Sequence, residues 1–155
     1  VNILIASGVN LDLLGRREPE IYGHDTLDDM QDLLKSEWPD LKKSFGDTRT
    51  LLEFFQTNSE AELLTKLSEK KWAGVVLNAG AWTHTSLALA DRLVGLSLCY
   101  VEVHVSNTHI REPFRHKSYL APHAIGVIQG FGIRSYLLGL EALVRHLRSQ
   151  KKKRS

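Results

Sequence analysis

The sequence holds a single cysteine, Cys99, so it can form neither an intramolecular disulfide nor a cysteine zinc cluster, and nothing in it asks for an oxidising compartment. No apolar run approaches the roughly eighteen residues that cross a bilayer, and the opening residues, Val1 to Ile5, lack the basic flank and cleavage site of a signal peptide. These absences point to a cytoplasmic protein with no membrane partner. Nor does one sign of charge dominate. The net charge is +2, and the closing Lys151-Lys152-Lys153-Arg154 alone exceeds it, so the chain before the tail is nearly neutral and gives no reason to expect a nucleic-acid partner. There is no Gly-x-Gly-x-x-Gly after the first apolar run, no Walker loop, and no His-Glu-x-x-His among the seven histidines. Dinucleotide, nucleoside-triphosphate and metal sites are not expected. No lysine falls at the end of an expected strand, which argues against Schiff-base chemistry, and Cys99 reads as a small buried hydrophobe.

What is present is an ordinary globular composition, 43% hydrophobic and 25% charged, over 155 residues. That length supplies one domain, expected over residues 1–150, with 151–155 as a basic disordered tail. Strand and helix patterns alternate along it. Residues 1–6, 51–56, 73–78, 99–103 and 123–128 read as strands, being short, apolar and rich in β-branched or aromatic side chains. Thr26 caps a helix carrying Leu27, Met30, Leu33, Leu34 and Trp38 that Pro39 is expected to stop, leaving residues 40–50 as an exposed connector. Ser59 and Glu62 have capping-box spacing before a helix with Leu63, Leu64 and Leu67. Residues 86–96 read as a helix with Leu87, Leu89, Leu93 and Val94 inward. The longest helical pattern, from Ile133 to about Arg148, turns in Tyr136, Leu137, Leu140, Leu143, Val144 and Leu147. Strand–helix alternation of this kind predicts an α/β fold: a flavodoxin-like, doubly wound, five-stranded parallel sheet in three layers, with ligands bound outside the carboxyl ends of the strands.

The loops at that rim carry the polar chemistry. The first runs from Ser7 to Gly23 and is too long to be a mere connection. Its Arg17 and Tyr22 are either ordinary surface groups or a proton-abstracting pair, since a guanidinium nearby favours the phenolate form of a tyrosine. The third loop supplies Asn78 at a strand end and His84 beside a helix N-terminus, a setting suited to an anion or a polyol. In the fourth, Glu102 and His104 fall on the same side of a strand, so the carboxylate can hold the imidazole's tautomer and orientation, which is how a general acid is built. His24, His109, His116 and His123 are read as structural residues without a part in the chemistry.

The rim segments also resemble a known family. Leu13-Leu14-Gly15-Arg16-Arg17-Glu18-Pro19-Glu20-Ile21-Tyr22-Gly23, Leu77-Asn78-Ala79-Gly80, Thr83-His84-Thr85-Ser86, Glu102-Val103-His104-Val105-Ser106-Asn107 and Phe114-Arg115-His116-Lys117-Ser118-Tyr119-Leu120 are similar to the motifs of the type II 3-dehydroquinate dehydratases, in the same order. The resemblance implies a cofactor-free anti elimination of water from 3-dehydroquinate, through an enolate, to give 3-dehydroshikimate in the shikimate pathway. It implies Tyr22 as the base for the C2 proton, Arg17 as its electrostatic partner, and His104, held by Glu102, as the acid for the C1 hydroxyl. Asn10 would place a water on the enolate oxygen. Asn78 and the Val105-Ser106 turn would take the substrate carboxylate, and His84 and Arg115 the ring hydroxyls. Asp91 would be contributed across a subunit contact and Arg111 would support the lid, in a dodecamer of trimers.

The first motif departs from the family's Asn-Gly-Pro-Asn-Leu-Asn, reading Ser7-Gly8-Val9-Asn10-Leu11-Asp12. Val9 gives up proline's fixed φ, which costs up to about 1 kcal/mol. Ser7 shortens a side chain at the strand end, and Asp12 adds a negative charge. Ala90 stands where an arginine often precedes the aspartate. These changes motivate an alternative, a non-catalytic relative that binds a small acidic polyol. A flavin or nucleotide module rests on fold analogy alone.

Overall fold

Residues 2–46 and 49–154 are described by the structure, a computed structural model. Val1 of the first expected strand, Asp47 and Thr48 of the expected connector and Ser155 of the tail lie outside the described residues. The elements are β1 (Asn2–Ser7), α1 (Pro19–Tyr22), α2 (Leu27–Phe45), β2 (Leu51–Gln56), α3 (Glu60–Ser68), β3 (Gly74–Asn78), α4 (Leu87–Gly95), β4 (Tyr100–His104), β5 (Val127–Gln129) and α5 (Arg134–Arg154). All strand pairs are parallel and the order is β2-β1-β3-β4-β5, the flavodoxin-like order expected from the sequence.

Each central strand is buried on both sides, so its alternate residues serve two separate cores. Ile3 and Ile5 of β1 join Val76, Val101 and Val103 against α2 and α5, where Met30, Leu34, Tyr136, Leu140 and Leu143 complete the packing. Leu4 and Ala6 face the other way, with Val75, Leu77 and Tyr100, onto Leu63 and Leu67 of α3 and Leu89 and Leu93 of α4. Three layers result.

Several boundaries differ from expectation. The α2 cap forms as read, Thr26 Oγ1 accepting from the Asp29 amide and Asp29 Oδ2 from the Thr26 amide. The helix does not stop at Pro39, however, but runs on through most of the supposed connector. Trp38 is buried and Leu41 packs on the same core, and this burial offsets a mid-helix proline's cost of about 3 kcal/mol. Ser59 caps α3 through the Glu62 amide, while the Glu62 carboxylate accepts from the Thr57 hydroxyl instead of closing the box. In α4 the inward residues are Leu89, Ala90 and Leu93; Leu87 and Val94, expected inside, are 60% and 48% exposed because they fall on the opposite side of the helix. The last strand starts four residues later than expected, since Ala121-Pro122-His123 form a 3-10 turn and the proline lacks the amide hydrogen a ladder needs. Three such turns, and no α-helix, join β4 to β5. Finally, α5 continues to Arg154, so residues 151–154 are helical where a disordered tail was expected; basic residues suit the negative end of the helix dipole.

Candidate active site

The site is built where the carboxyl ends of β1, β3 and β4 meet. Two glycines let the first and third loops cross there. A Cβ on Gly8 would stand 2.5 Å from the Ala79 carbonyl oxygen, and one on Gly80, whose φ is +60°, would stand 2.7 Å from that of Val9. The Gly8 amide donates to the Asn78 carbonyl (2.8 Å), and the Thr57 amide to that of Ser7 (3.1 Å), which ties the ends of the strands together. Above them residues 11–23 are not an open loop: Leu11–Leu13 form a 3-10 turn, Leu11 and Leu14 are buried, and α1 brings Tyr22 down onto the first core.

These loops enclose a cavity of about 230 Å³. Asn10, Arg17, Tyr22, Asn78, His84, His104, Val105, Ser106, Arg111 and Arg115 all line it, so ten of the twelve residues singled out from sequence come together. Glu102 lies behind His104, 1% exposed. Asp91 does not reach the cavity of its own chain; it is exposed on α4, at a surface hollow shared with Leu64, Ala88 and Arg92.

On the wall supplied by the lid, Arg111 Nη1 donates to Tyr22 Oη at 2.6 Å. The Arg111 and Arg17 guanidiniums stand 5.0 and 5.7 Å from the centre of the Tyr22 ring, and Arg17 Nε also lies 3.5 Å from the Glu18 carboxylate. The direct partner of the phenol oxygen is therefore Arg111, which the sequence had placed as lid support, with Arg17 as a second cation over the ring. On the facing wall, His104 Nε2 is 2.6 Å from Glu102 Oε1. His84 stacks against His104, with ring centres 6.2 Å apart, and bonds through Nδ1 to the Lys117 carbonyl at 2.7 Å. A carbonyl only accepts, so His84 Nδ1 carries the hydrogen and Nε2 is left with a lone pair. Burial pushes the pKa of His84 below its ordinary value, and the nearness of His104 and Arg115 pushes the same way, against the pull of the Lys117 carbonyl and of Glu102. The ring is neutral at neutral pH and acts as an acceptor.

Sequence reasoning missed two supports. Asn10 sits in the left-handed region (φ 65°), and Asn58 Oδ1 accepts from its amide at 2.8 Å while also taking a hydrogen from Gln56 Nε2. The signal was topological, since the loop after β2 opens onto the same rim. Ser118, whose hydroxyl donates to Glu102 Oε2 at 2.9 Å, lay inside a quoted motif without a role. Of the departures in the first motif, Ser7 turns away from the cavity, where its hydroxyl bonds to the buried Tyr136 Oη at 2.8 Å, and Asp12 is exposed and lines no part of it. Only Val9 contributes to the wall. Among the described residues no three His, Cys, Asp or Glu side chains are grouped to hold a metal ion, and no helix is long and apolar enough to cross a membrane.

The profile of the family Dehydroquinase class II matches residues 1–144. The chain belongs to that family. Among curated relatives, the 3-dehydroquinate dehydratase of Parasynechococcus marenigrum (strain WH8102) is 49% identical over 150 residues, covering 96% of this chain and 98% of its own. That of Prochlorococcus marinus (strain MIT 9515) is 45% identical over 153 residues, covering 97% and 100%. Among solved structures, the type II dehydroquinase from Butyrivibrio crossotus DSM 2876 superposes with a TM-score of 0.82 at 34% identity, over 92% of this chain and 97% of that one. The resemblance read in the loop motifs and the fold thus agree, and a non-catalytic binder is not favoured.

Proposed function

We propose that the walls of this cavity divide the family's reaction between them, with Tyr22 as the base and His104 as the acid. The reaction itself follows from the family: the chain is a hydro-lyase, a 3-dehydroquinate dehydratase, and the shikimate pathway is where that dehydration belongs. The observation that carries the division of labour is that Tyr22, from the loop after β1 and held by Arg111, and His104, at the end of β4 and backed by the buried Glu102, line one small cavity.

In this reading the Tyr22 phenolate, steadied by Arg111 and Arg17, takes the C2 proton of 3-dehydroquinate. The ketone becomes an enolate, and Asn10 holds a water against its oxygen. His104 then passes a proton to the departing C1 hydroxyl, and the electron pair of the enolate closes the new double bond as water leaves. Asn78 and the Val105-Ser106 turn receive the substrate carboxylate, while His84, as a neutral acceptor, and Arg115 fix the ring hydroxyls. The proton transfers and the loss of the C1 hydroxyl as water leave the overall oxidation state unchanged, so the reaction calls for no redox cofactor.

The finer reading extends to assembly. Leu87, Val94 and Leu96 leave apolar surface exposed around Asp91 on α4, which suits a face covered by another copy of the chain. We take the assembly to be a dodecamer, a tetramer of trimers, in which Asp91 reaches a neighbouring protomer's cavity, and the compartment to be the cytoplasm. Sedimentation gives the assembly, and loss of activity on Asp91→Ala in an intact oligomer supports the shared site.

Ultraviolet absorbance tests the chemistry, because the product is a conjugated enone and the substrate is not. The wild-type chain is expected to build this band in the presence of EDTA and after borohydride treatment. Tyr22→Phe should abolish its growth, losing at least about 100-fold in kcat, while calorimetry still records substrate binding. Normal turnover in that variant would overturn the assignment.

A further inference from the structure

A serine hydroxyl has one hydrogen to give and two lone pairs to receive with. At Ser118 both lone pairs are taken, by the backbone amides of Leu120 at 3.1 Å and Ala121 at 2.9 Å. Its single hydrogen is directed at Glu102 Oε2, 2.9 Å away. The orientation of this hydroxyl is therefore dictated by the chain itself. Glu102, almost wholly buried, accepts from Ser118 on one oxygen and faces His104 Nε2 at 2.6 Å on the other. With Glu102 as a carboxylate, the 2.6 Å contact at Oε1 is an N–H···O bond, and it places a hydrogen on His104 Nε2. The other ring nitrogen, Nδ1, is then the one left to exchange a proton with whatever the cavity holds.

We propose that Ser118 is a positioning residue for the dehydration, which acts through Glu102 to fix the tautomer and orientation of His104. The same turn fixes the second histidine of the site, because the carbonyl of the preceding residue, Lys117, takes the hydrogen of His84 Nδ1. Two adjacent residues thereby set which nitrogen each stacked imidazole presents. The turn is itself fastened to the sheet: the Tyr119 amide donates to the Thr83 carbonyl at 3.0 Å, and the buried Tyr100 hydroxyl donates to the carbonyl of Leu120. Ser118 is not among the residues that line the cavity, and its hydroxyl reaches the site through the Glu102 carboxylate. The inference rests on His104 being the acid of the proposed mechanism.

The test compares Ser118→Ala, Ser118→Cys and Ser118→Thr with the wild-type oligomer. Steady-state dehydration of 3-dehydroquinate is followed by the enone absorbance, and the His104 ring nitrogens by NMR of chains labelled with ¹⁵N-histidine, assigned with His104→Asn. In the wild type the Nε2 of His104 is expected to carry a protected hydrogen. Ser118→Ala should lower kcat by about tenfold or more with KM within about twofold, and should shift or broaden the Nε2–H signal. Threonine, which keeps the hydroxyl, should restore both, and cysteine, a weaker donor of similar size, should fall between. Should the alanine variant not fold, the cysteine and threonine pair carries the same comparison. An unchanged ring spectrum in the alanine or cysteine variant would overturn the proposal, whatever happens to the rate, as would a kcat within about twofold of wild type. The spectrum needs no substrate, so an inactive wild-type chain would count against the catalytic reading while leaving the hydrogen-bond inference to its own result.

Discussion

Arg111 donates a 2.6 Å hydrogen bond to the hydroxyl of Tyr22, a residue 89 positions earlier in the chain. The guanidinium thus sits where negative charge would collect if the phenol gave up its proton, as the proposed mechanism requires.

If Arg111 stabilises the phenolate, Arg111→Leu should lower kcat about 10- to 100-fold, the worth of one hydrogen bond to a charged group, with a smaller change in KM. Steady-state kinetics separate the roles. A raised KM with kcat unchanged would mean that Arg111 serves only to close the lid.

The hydroxyl pair of Ser7 and Tyr136 is buried beneath the cavity without lining it, Tyr136 also bonding the Asn78 side chain. Ser7→Ala is expected to cost about 1 kcal/mol in urea denaturation and to leave kcat within about twofold. A large kinetic defect with unchanged stability would show that the first motif acts on the chemistry after all.

Helix α5 lies so close to β4 that a Cβ on Gly139 would stand 2.6 Å from Val103 Cγ1. Alanine is the better helix former by about 1 kcal/mol, yet overpacking costs about 1–3 kcal/mol. Gly139→Ala should therefore destabilise the chain in chemical denaturation; a stabilised variant would mean that α5 can move off the sheet freely.

Burial pushes the phenols of Tyr136 and Tyr100 up to about 12, with the negative charge of Glu102 adding to the effect at Tyr100 and hydrogen bonds from Ser7 and Asn78 opposing it at Tyr136. Because the folded values lie above the unfolded value near 10, the stability they contribute is intact below about pH 10 and is lost as pH rises toward 12. An absorbance titration should show two of the four tyrosines ionising only near pH 12 or together with unfolding. Early ionisation of all four in a folded chain would refute this.

The parts legible in the sequence were those with local periodicity. Glu102 and His104 were paired correctly because alternate residues of a strand share a face, and the rim loops because parallel strands end together. The Arg111–Tyr22 bond, the grip of Asn58 on Asn10 and the hydroxyl of Ser118 join residues far apart in the chain, which no local pattern records. Where the secondary structure was misread, tertiary burial had overridden a local signal, as at Pro39. Leu87 and Val94 show the converse: helical apolar spacing does not say which face meets the sheet.

The two halves of the site also rest on unequal foundations. Every residue of β4 is buried, whereas α1, which carries Tyr22, is one turn long and buries none. Backbone amides of residues 101–103 should exchange with deuterium only when the whole domain opens, and those of residues 20–22 through local opening that leaves the sheet intact. Substitutions in residues 11–23 could then loosen or stiffen the segment that carries Tyr22 without disturbing His104 on β4, so adaptation to cold or heat would be written in that segment and not in the strands.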